Sequence, residues 1–275
     1  MAFLSLLILA LATSIYAVPL STTTTISNTN EISPRAPWGI WHPSPGTTWQ
    51  IVLSQPLTDI SSPVDVFDID LFDNPSSTID EIHNSNRRVI CYFSAGTYEN
   101  WREDASSFQW YDKGDPLNNW YGENWVDIRS QSVRAIMTER MNLAREKGCD
   151  GIDPDNVDAY GNDNGLGLTE DDAADYLNWL AGEAHYRGMA IGLKNAGGII
   201  PKVISRMQYV ITESCVMYDE CDIYNPFLRQ GKAVFHIEYP SLHSASGRQE
   251  PVCQGIQGFS TVMKTMDLST WVQTC

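Results

Sequence analysis

The sequence predicts an α/β fold, a single-domain (β/α)8 barrel, on three observations. Eight short, β-rich apolar runs are separated by segments with helical periodicity. Most of these runs are continuously apolar rather than alternating, as in parallel strands buried on both faces. Acids recur where the runs end, and barrels of this type gather their chemistry at the C-terminal ends of their strands. The length, 275 residues, fits one such barrel preceded by a short leader.

The elements follow in order. Residues 2–17 are an uncharged apolar run ending in Ala17, too short to span a bilayer, and read as a signal peptide of residues 1–17. Residues 18–37 are rich in Ser, Thr, Asn and Pro and form a disordered lead-in. The folded domain is expected over 38–275. Its strands are expected at Trp49–Leu53, Val64–Asp70, Arg88–Ser94, Gly148–Asp153, Met189–Lys194, Tyr209–Glu213, Ala233–Glu238 and Gly258–Lys264. Helices are expected at Ser76–Asn86, Ser132–Lys147, Thr169–Arg187, Ile200–Met207 and Asn225–Gln230. The second carries Val133, Ile136, Met137, Arg140, Met141 and Ala144 at helical spacing and stops at Gly148. The third opens with Thr169 as N-cap and Asp172 in the capping-box position.

Charge and cysteine usage narrow the function. The formal charge of −16 disfavours nucleic acid and anionic membranes as partners and favours a cationic one. No second apolar run is long enough to cross a membrane, and the protein is expected to be secreted and monomeric. Six cysteines in a secreted chain form three disulfides, read as Cys215–Cys221, Cys253–Cys275 and Cys91–Cys149. No CxxC is present and most histidines fall in helix or loop stretches, so no zinc site is expected; no cofactor is expected. His42, His83, His185 and His243 read as surface residues and His236 as a core histidine.

The chemistry concentrates in Gly148-Cys-Asp-Gly-Ile-Asp-Pro-Asp-Asn-Val-Asp158, where four carboxylates end one strand. Asp153 and Asp155 share a parity, so both point into the barrel with Asp155 nearer substrate. Asp68 and Asp70, Tyr92, Lys194 and Asn195, Glu213, and Glu238 and Tyr239 end other strands. Glycoside hydrolysis needs two carboxyl groups flanking one bond, one protonated and one ionised. Crowded acids with one lysine among them supply that difference. Asp155 and Glu213, two strands apart, are the expected catalytic pair. Asp68, Asp70, Tyr92, Asp153, Asp158, Lys194, Asn195, Glu238 and Tyr239 are expected on the substrate, while Asp150 reads as a solvated acid at the strand entrance. Tyr92, Trp101 and Tyr239 lie closest to the expected rim and offer faces for sugar C–H surfaces and ammonium groups.

The stretches Trp49-Gln-Ile-Val-Leu-Ser54, Val66-Phe-Asp-Ile-Asp70, Val89-Ile-Cys-Tyr-Phe-Ser-Ala-Gly96, the acidic run above and Ile211-Thr-Glu-Ser-Cys215 resemble glycoside hydrolase family 114 over about residues 38–275. That resemblance implies a secreted endo-α-1,4-polygalactosaminidase, acting on partly deacetylated galactosaminogalactan, a cationic polysaccharide. It implies Asp155 as nucleophile and Glu213 as acid/base in a retaining reaction, with no metal. Two other readings compete. A chitinase-like motif overlaps Asp150–Val157, but Val157 stands where that motif needs its acid. A non-catalytic glycan-binding barrel would lack one acid of the pair, and both are present.

Overall fold

A computed structural model describes residues 39–241 and 256–274. The signal peptide, the lead-in, Trp38, His243 and the Cys253–Cys275 pair lie outside the described residues. Eight parallel strands form one curled sheet, joined in sequence order: β1 (Trp49–Val52), β2 (Val66–Asp70), β3 (Arg88–Ser94), β7 (Gly151–Asp155), β8 (Ala190–Lys194), β9 (Tyr209–Glu213), β10 (Ala233–Glu238) and β11 (Ser260–Met263). A two-residue strand, β12 (Gln273–Thr274), pairs antiparallel with β11. The helices α1 (Ser76–Asn84), α2 (Gln131–Lys147), α3 (Glu170–Tyr186), α4 (Ile200–Val203), α5 (Cys215–Tyr218) and α6 (Asn225–Arg229) fall between strands in the expected alternation.

Alternation along each strand divides the apolar residues into two layers. One set, including Ile51, Val66, Ile90, Tyr209, Ile211, Phe235 and Ile237, fills the barrel interior. The other, including Val52, Phe67, Val89, Ile152, Val210 and Val234, meets the helices. The interior is packed, not hollow. Tyr209 crosses it to donate a hydrogen bond to the Ile152 carbonyl at 2.7 Å, and a Cβ on Gly192 would lie 2.3 Å from its ring. Glycine on β8 therefore makes the room that Tyr209 fills.

The helices form for the expected reasons. On α2 the six residues read from spacing are the buried ones, and Gly148 closes the helix in the left-handed region. Thr169 and Asp172 cap α3 reciprocally, through Asp172 N to Thr169 Oγ1 at 3.2 Å and Thr169 N to Asp172 Oδ2 at 2.9 Å, a device worth about 1 kcal/mol. Disulfides Cys91–Cys149 and Cys215–Cys221 form as read from sequence.

The expected strand 148–153 begins at Gly151 instead and runs through Pro154 to Asp155. Asp150 precedes it as a structural anchor rather than a solvated acid. It is buried and accepts from Arg88 at 2.6 Å, His83 at 2.7 Å and Val89 N at 3.0 Å. The largest departure is an excursion between β3 and α2, where no strand or helix is expected from the sequence. It folds as an antiparallel sheet of β4 (Thr97–Glu99), β5 (Lys113–Pro116) and β6 (Glu123–Val126), in the order β4-β6-β5. Buried Arg140 of α2 ties it down, donating to Asp104 at 2.8 and 2.9 Å and to the Ser94 carbonyl at 2.6 Å.

Between β1 and β11 the structure shows no strand ladder among the described residues. The ring is joined there by individual bonds: the Trp49 indole to the Ser260 carbonyl (2.7 Å), Leu53 N to the Leu268 carbonyl (3.0 Å) and the Gln50 side chain to the Thr270 carbonyl (3.1 Å).

Candidate active site

Strands β7, β8 and β9 each deliver one inward side chain at their C-terminal end: Asp155, Lys194 and Glu213. The next residue in each case, Asn156, Asn195 or Ser214, sits in the left-handed region with φ of 59°, 48° and 59°. Such backbone is costly outside glycine and clusters at functional sites. Here it ends each strand abruptly, and it lets Asn195 face Glu213. Asn195 Nδ2 donates to Glu213 Oε2 at 3.1 Å, and Glu213 N donates to Asn195 Oδ1 at 2.9 Å. At Gly96 the chain passes the Asn156 backbone so closely that a Cβ would lie 1.6 Å from the Asn156 carbonyl oxygen, which accounts for the glycine ending Cys-Tyr-Phe-Ser-Ala-Gly.

Lys194 is the centre of the site. Its buried Nζ lies 3.5 Å from Asp153 Oδ2, 3.5 Å from Asp155 Oδ1 and 3.6 Å from Glu213 Oε2. The latter two oxygens are therefore at most the sum of their distances apart, about 7 Å, a bound that admits the retaining spacing of about 5–5.5 Å. Tyr92 Oη donates to Asp155 Oδ2 at 3.0 Å, and Tyr239 Oη donates to Glu213 Oε1 at 2.5 Å. Burial pushes the Glu213 carboxyl up, but Lys194 and the bonds from Tyr239 and Asn195 outweigh it and hold Glu213 below the usual range. Asp153, fully buried, is pushed up to about 7 by burial, partly offset by Lys194. Burial and the neighbouring Asp153 carry Asp68 well above the carboxylate range. Both Asp68 oxygens and Asp153 Oδ1 have no hydrogen-bond donor, so burial there disfavours the charged form of each acid.

Asp155, Lys194, Asn195, Glu213, Tyr92, Tyr239, Asp158 and Asp70 all line one cavity of about 550 Å³, within the range of ligand sites. Asp158, pushed up to about 6 by burial and then by Asp155, stands beside the pair. Asp70 is spent largely on Arg102, which grips it at 2.6 and 3.1 Å. Three expected substrate residues do not reach the cavity. Asp68 and Asp153 point inward but lie buried beneath its floor. Glu238 lies on the opposite parity of β10 from Phe235, Ile237 and Tyr239, so it faces away from the barrel interior and accepts from Val216 N at 2.7 Å and bonds His236 at 2.9 Å. Its expected substrate role fails for the alternation that brings Tyr239 in. Sequence reasoning missed Glu99, Glu123, Arg102 and Asn156 of the lining, all but Asn156 on the excursion, where it placed no element. The lining counts eight acids against two bases, and both bases are already paired with acids, so the cavity attracts cations. Away from it, Cys215, Cys221 and His236 come together, but a disulfide consumes both sulfurs and leaves no thiolate for a metal. Among the described residues no helix is long and apolar enough to cross a membrane.

Residues 30–275 match the model of glycoside-hydrolase family GH114. The chain is similar to Ega3 of Aspergillus fumigatus, whose crystal structure is a complex with galactosamine. Identity is 49%, the TM-score is 0.82, and the match covers 88% of this chain and 100% of that one. It shares its fold with the glycoside hydrolase domain of PelA from Pseudomonas aeruginosa, at 14% identity and a TM-score of 0.63, over 82% of this chain and 98% of that one. No curated protein sequence matches.

Proposed function

The chain belongs to glycoside-hydrolase family GH114, and from that premise we propose that it is an endo-acting hydrolase of α-1,4-galactosaminidic bonds in deacetylated galactosaminogalactan. The observation that carries this is the convergence of Asp155 and Glu213 on one lysine, 3.5 and 3.6 Å away, at the floor of a cavity rich in uncompensated acid. The 49% identity to a protein crystallised with galactosamine supports an amino-sugar substrate. An ammonium-bearing chain enters such a cavity with Coulombic gain, and the tyrosine faces serve its apolar sugar surfaces.

In the proposed mechanism Asp155 attacks the anomeric carbon and forms a glycosyl ester, while Glu213 protonates the departing oxygen. Glu213 then takes a proton from water, which hydrolyses the ester with net retention. Glu213 is held below its ordinary value in the open cavity. The first step therefore draws on the fraction of enzyme in which Glu213 is protonated, a fraction that falls as pH rises. Lys194, 3.5 Å from Asp155 Oδ1, fixes the nucleophile beside its ammonium. Two disulfides support an oxidising, extracellular setting. Purified protein should convert deacetylated galactosaminogalactan to short oligosaccharides, faster than the fully acetylated polymer at low salt. Cleavage of chitin instead, or binding without cleavage, would overturn the reading.

A further inference from the structure

Exposed aromatic side chains are unevenly placed. Of the ten large apolar residues most open to solvent among the described residues, five lie on the excursion over 97–126: Trp101, Trp110, Tyr111, Trp120 and Tyr121. A cluster of exposed rings is informative where isolated ones are not. Trp110 and Tyr111 pack on each other edge to face at 5.7 Å and line neither hollow beside the excursion. Trp120 differs. It lines the catalytic cavity and also a second hollow of about 530 Å³, walled by Tyr121, Asn119 and Asn124. Leu117 and Glu123 are likewise common to both, so the two hollows adjoin.

The backbone that carries the ring is held. Trp120 stands on the turn between β5 and β6, where Trp120 N donates to the Leu117 carbonyl at 3.3 Å, Glu123 N to the Trp120 carbonyl at 3.2 Å and Leu117 N to the Glu123 carbonyl at 3.0 Å. A turn already ordered loses little backbone freedom on binding. Glu123, buried beside it, places a carboxyl where the hollows meet.

Resting on the hydrolase reading above, we propose that the β5–β6 turn is a distal sugar-binding platform. On it Trp120 takes a residue of the same amino-sugar polymer, remote from the bond being cut, with Glu123 facing its ammonium. The occupant follows from continuity: a chain threaded through the catalytic cavity past Trp120 has the second hollow as its next space. Burial pushes the Glu123 carboxyl up to about 7, so an arriving ammonium also draws it into its charged form.

The test compares Trp120→Ala and Trp120→Phe with the wild-type protein on long deacetylated galactosaminogalactan and on the shortest galactosamine oligosaccharide that is cleaved. With Trp120→Ala, KM for the polymer should rise about tenfold more than KM for the oligosaccharide, and Trp120→Phe should recover most of the loss. Equal changes on both substrates, or none, would overturn the platform. Wild-type protein that cleaves neither substrate would instead overturn the hydrolase reading. Retention of the wild type and Trp120→Ala on immobilised polymer then decides the platform separately, with equal retention counting against it.

Discussion

Replacing Tyr239 by Phe removes one hydroxyl and tests what Glu213 does. Tyr239 is buried, and its Oη donates to Glu213 Oε1 at 2.5 Å. Burial and the adjoining Glu213 hold the phenol far above its ordinary value, so it stays protonated at any working pH. The ring can remain where it is, because Phe fills the same space. A hydrogen bond to a charged group contributes about 1.5–3 kcal/mol. At 1.36 kcal/mol per pH unit, its loss should move the titration of Glu213 up by about one to two pH units. The assay is the pH dependence of kcat/KM on galactosamine oligosaccharides, which reports the free enzyme. If Glu213 is the acid, the alkaline limb moves up and activity spreads toward neutral pH. A shift of the acid limb would make Glu213 the nucleophile and reverse the roles. If neither limb moved, Glu213 would not be a titrating catalyst, and the two-carboxylate account would fall.

Asp155→Asn and Glu213→Gln should each lower turnover at least about 1,000-fold, while the protein stays folded, as circular dichroism would show. Residual activity near wild type in either would refute the pair. Lys194→Met should inactivate the enzyme and destabilise it more at pH 8 than at pH 5, since the acids left beside it can take up protons in the lower range; thermal melts at both values check this, and equal losses would count against it. Folded-state values raised by burial at Asp68, Asp153 (about 7), Glu123 (about 7) and Asp158 (about 6) mean the native state binds more protons than the unfolded chain above pH 4. Glu213 and His185, shifted down, oppose this. The stability the raised groups contribute is complete below their unfolded values near 4 and is lost as pH rises through 6–7, so the urea midpoint should fall from pH 4.5 to pH 8. A midpoint that rises instead would show the buried acids to be charged and paired.

Strand periodicity made the barrel legible. Runs such as Arg88–Ser94 and Tyr209–Glu213 carry continuous apolar stretches, Val89–Phe93 and Tyr209–Ile211, and their ends coincide with the observed strands. The convergence of Asp155, Lys194 and Glu213 was legible for the same reason, since an acid or lysine ending a buried strand at inward parity is carried to the rim. Parity was the neglected signal. Counting by twos along Ala233–Glu238 puts Phe235 and Ile237 inside and His236 and Glu238 outside, which is where they are. The depth of Asp68 was not legible, because it depends on the stagger of β2 against β3 and not on any local pattern. The excursion escaped because Lys113-Gly-Asp-Pro116 has no β character of its own. Its pairing comes from β6 and from the anchor at Arg140, more than 20 residues away in sequence from β5.

The join between β1 and β11 couples assembly to activity. Leu268, whose carbonyl receives Leu53 N there, also lines the catalytic cavity together with Met266 and Asp267. All eight staves precede this stretch in the chain, so the contact that joins the ring at Leu53 and Leu268 also completes the wall around Asp155 and Glu213.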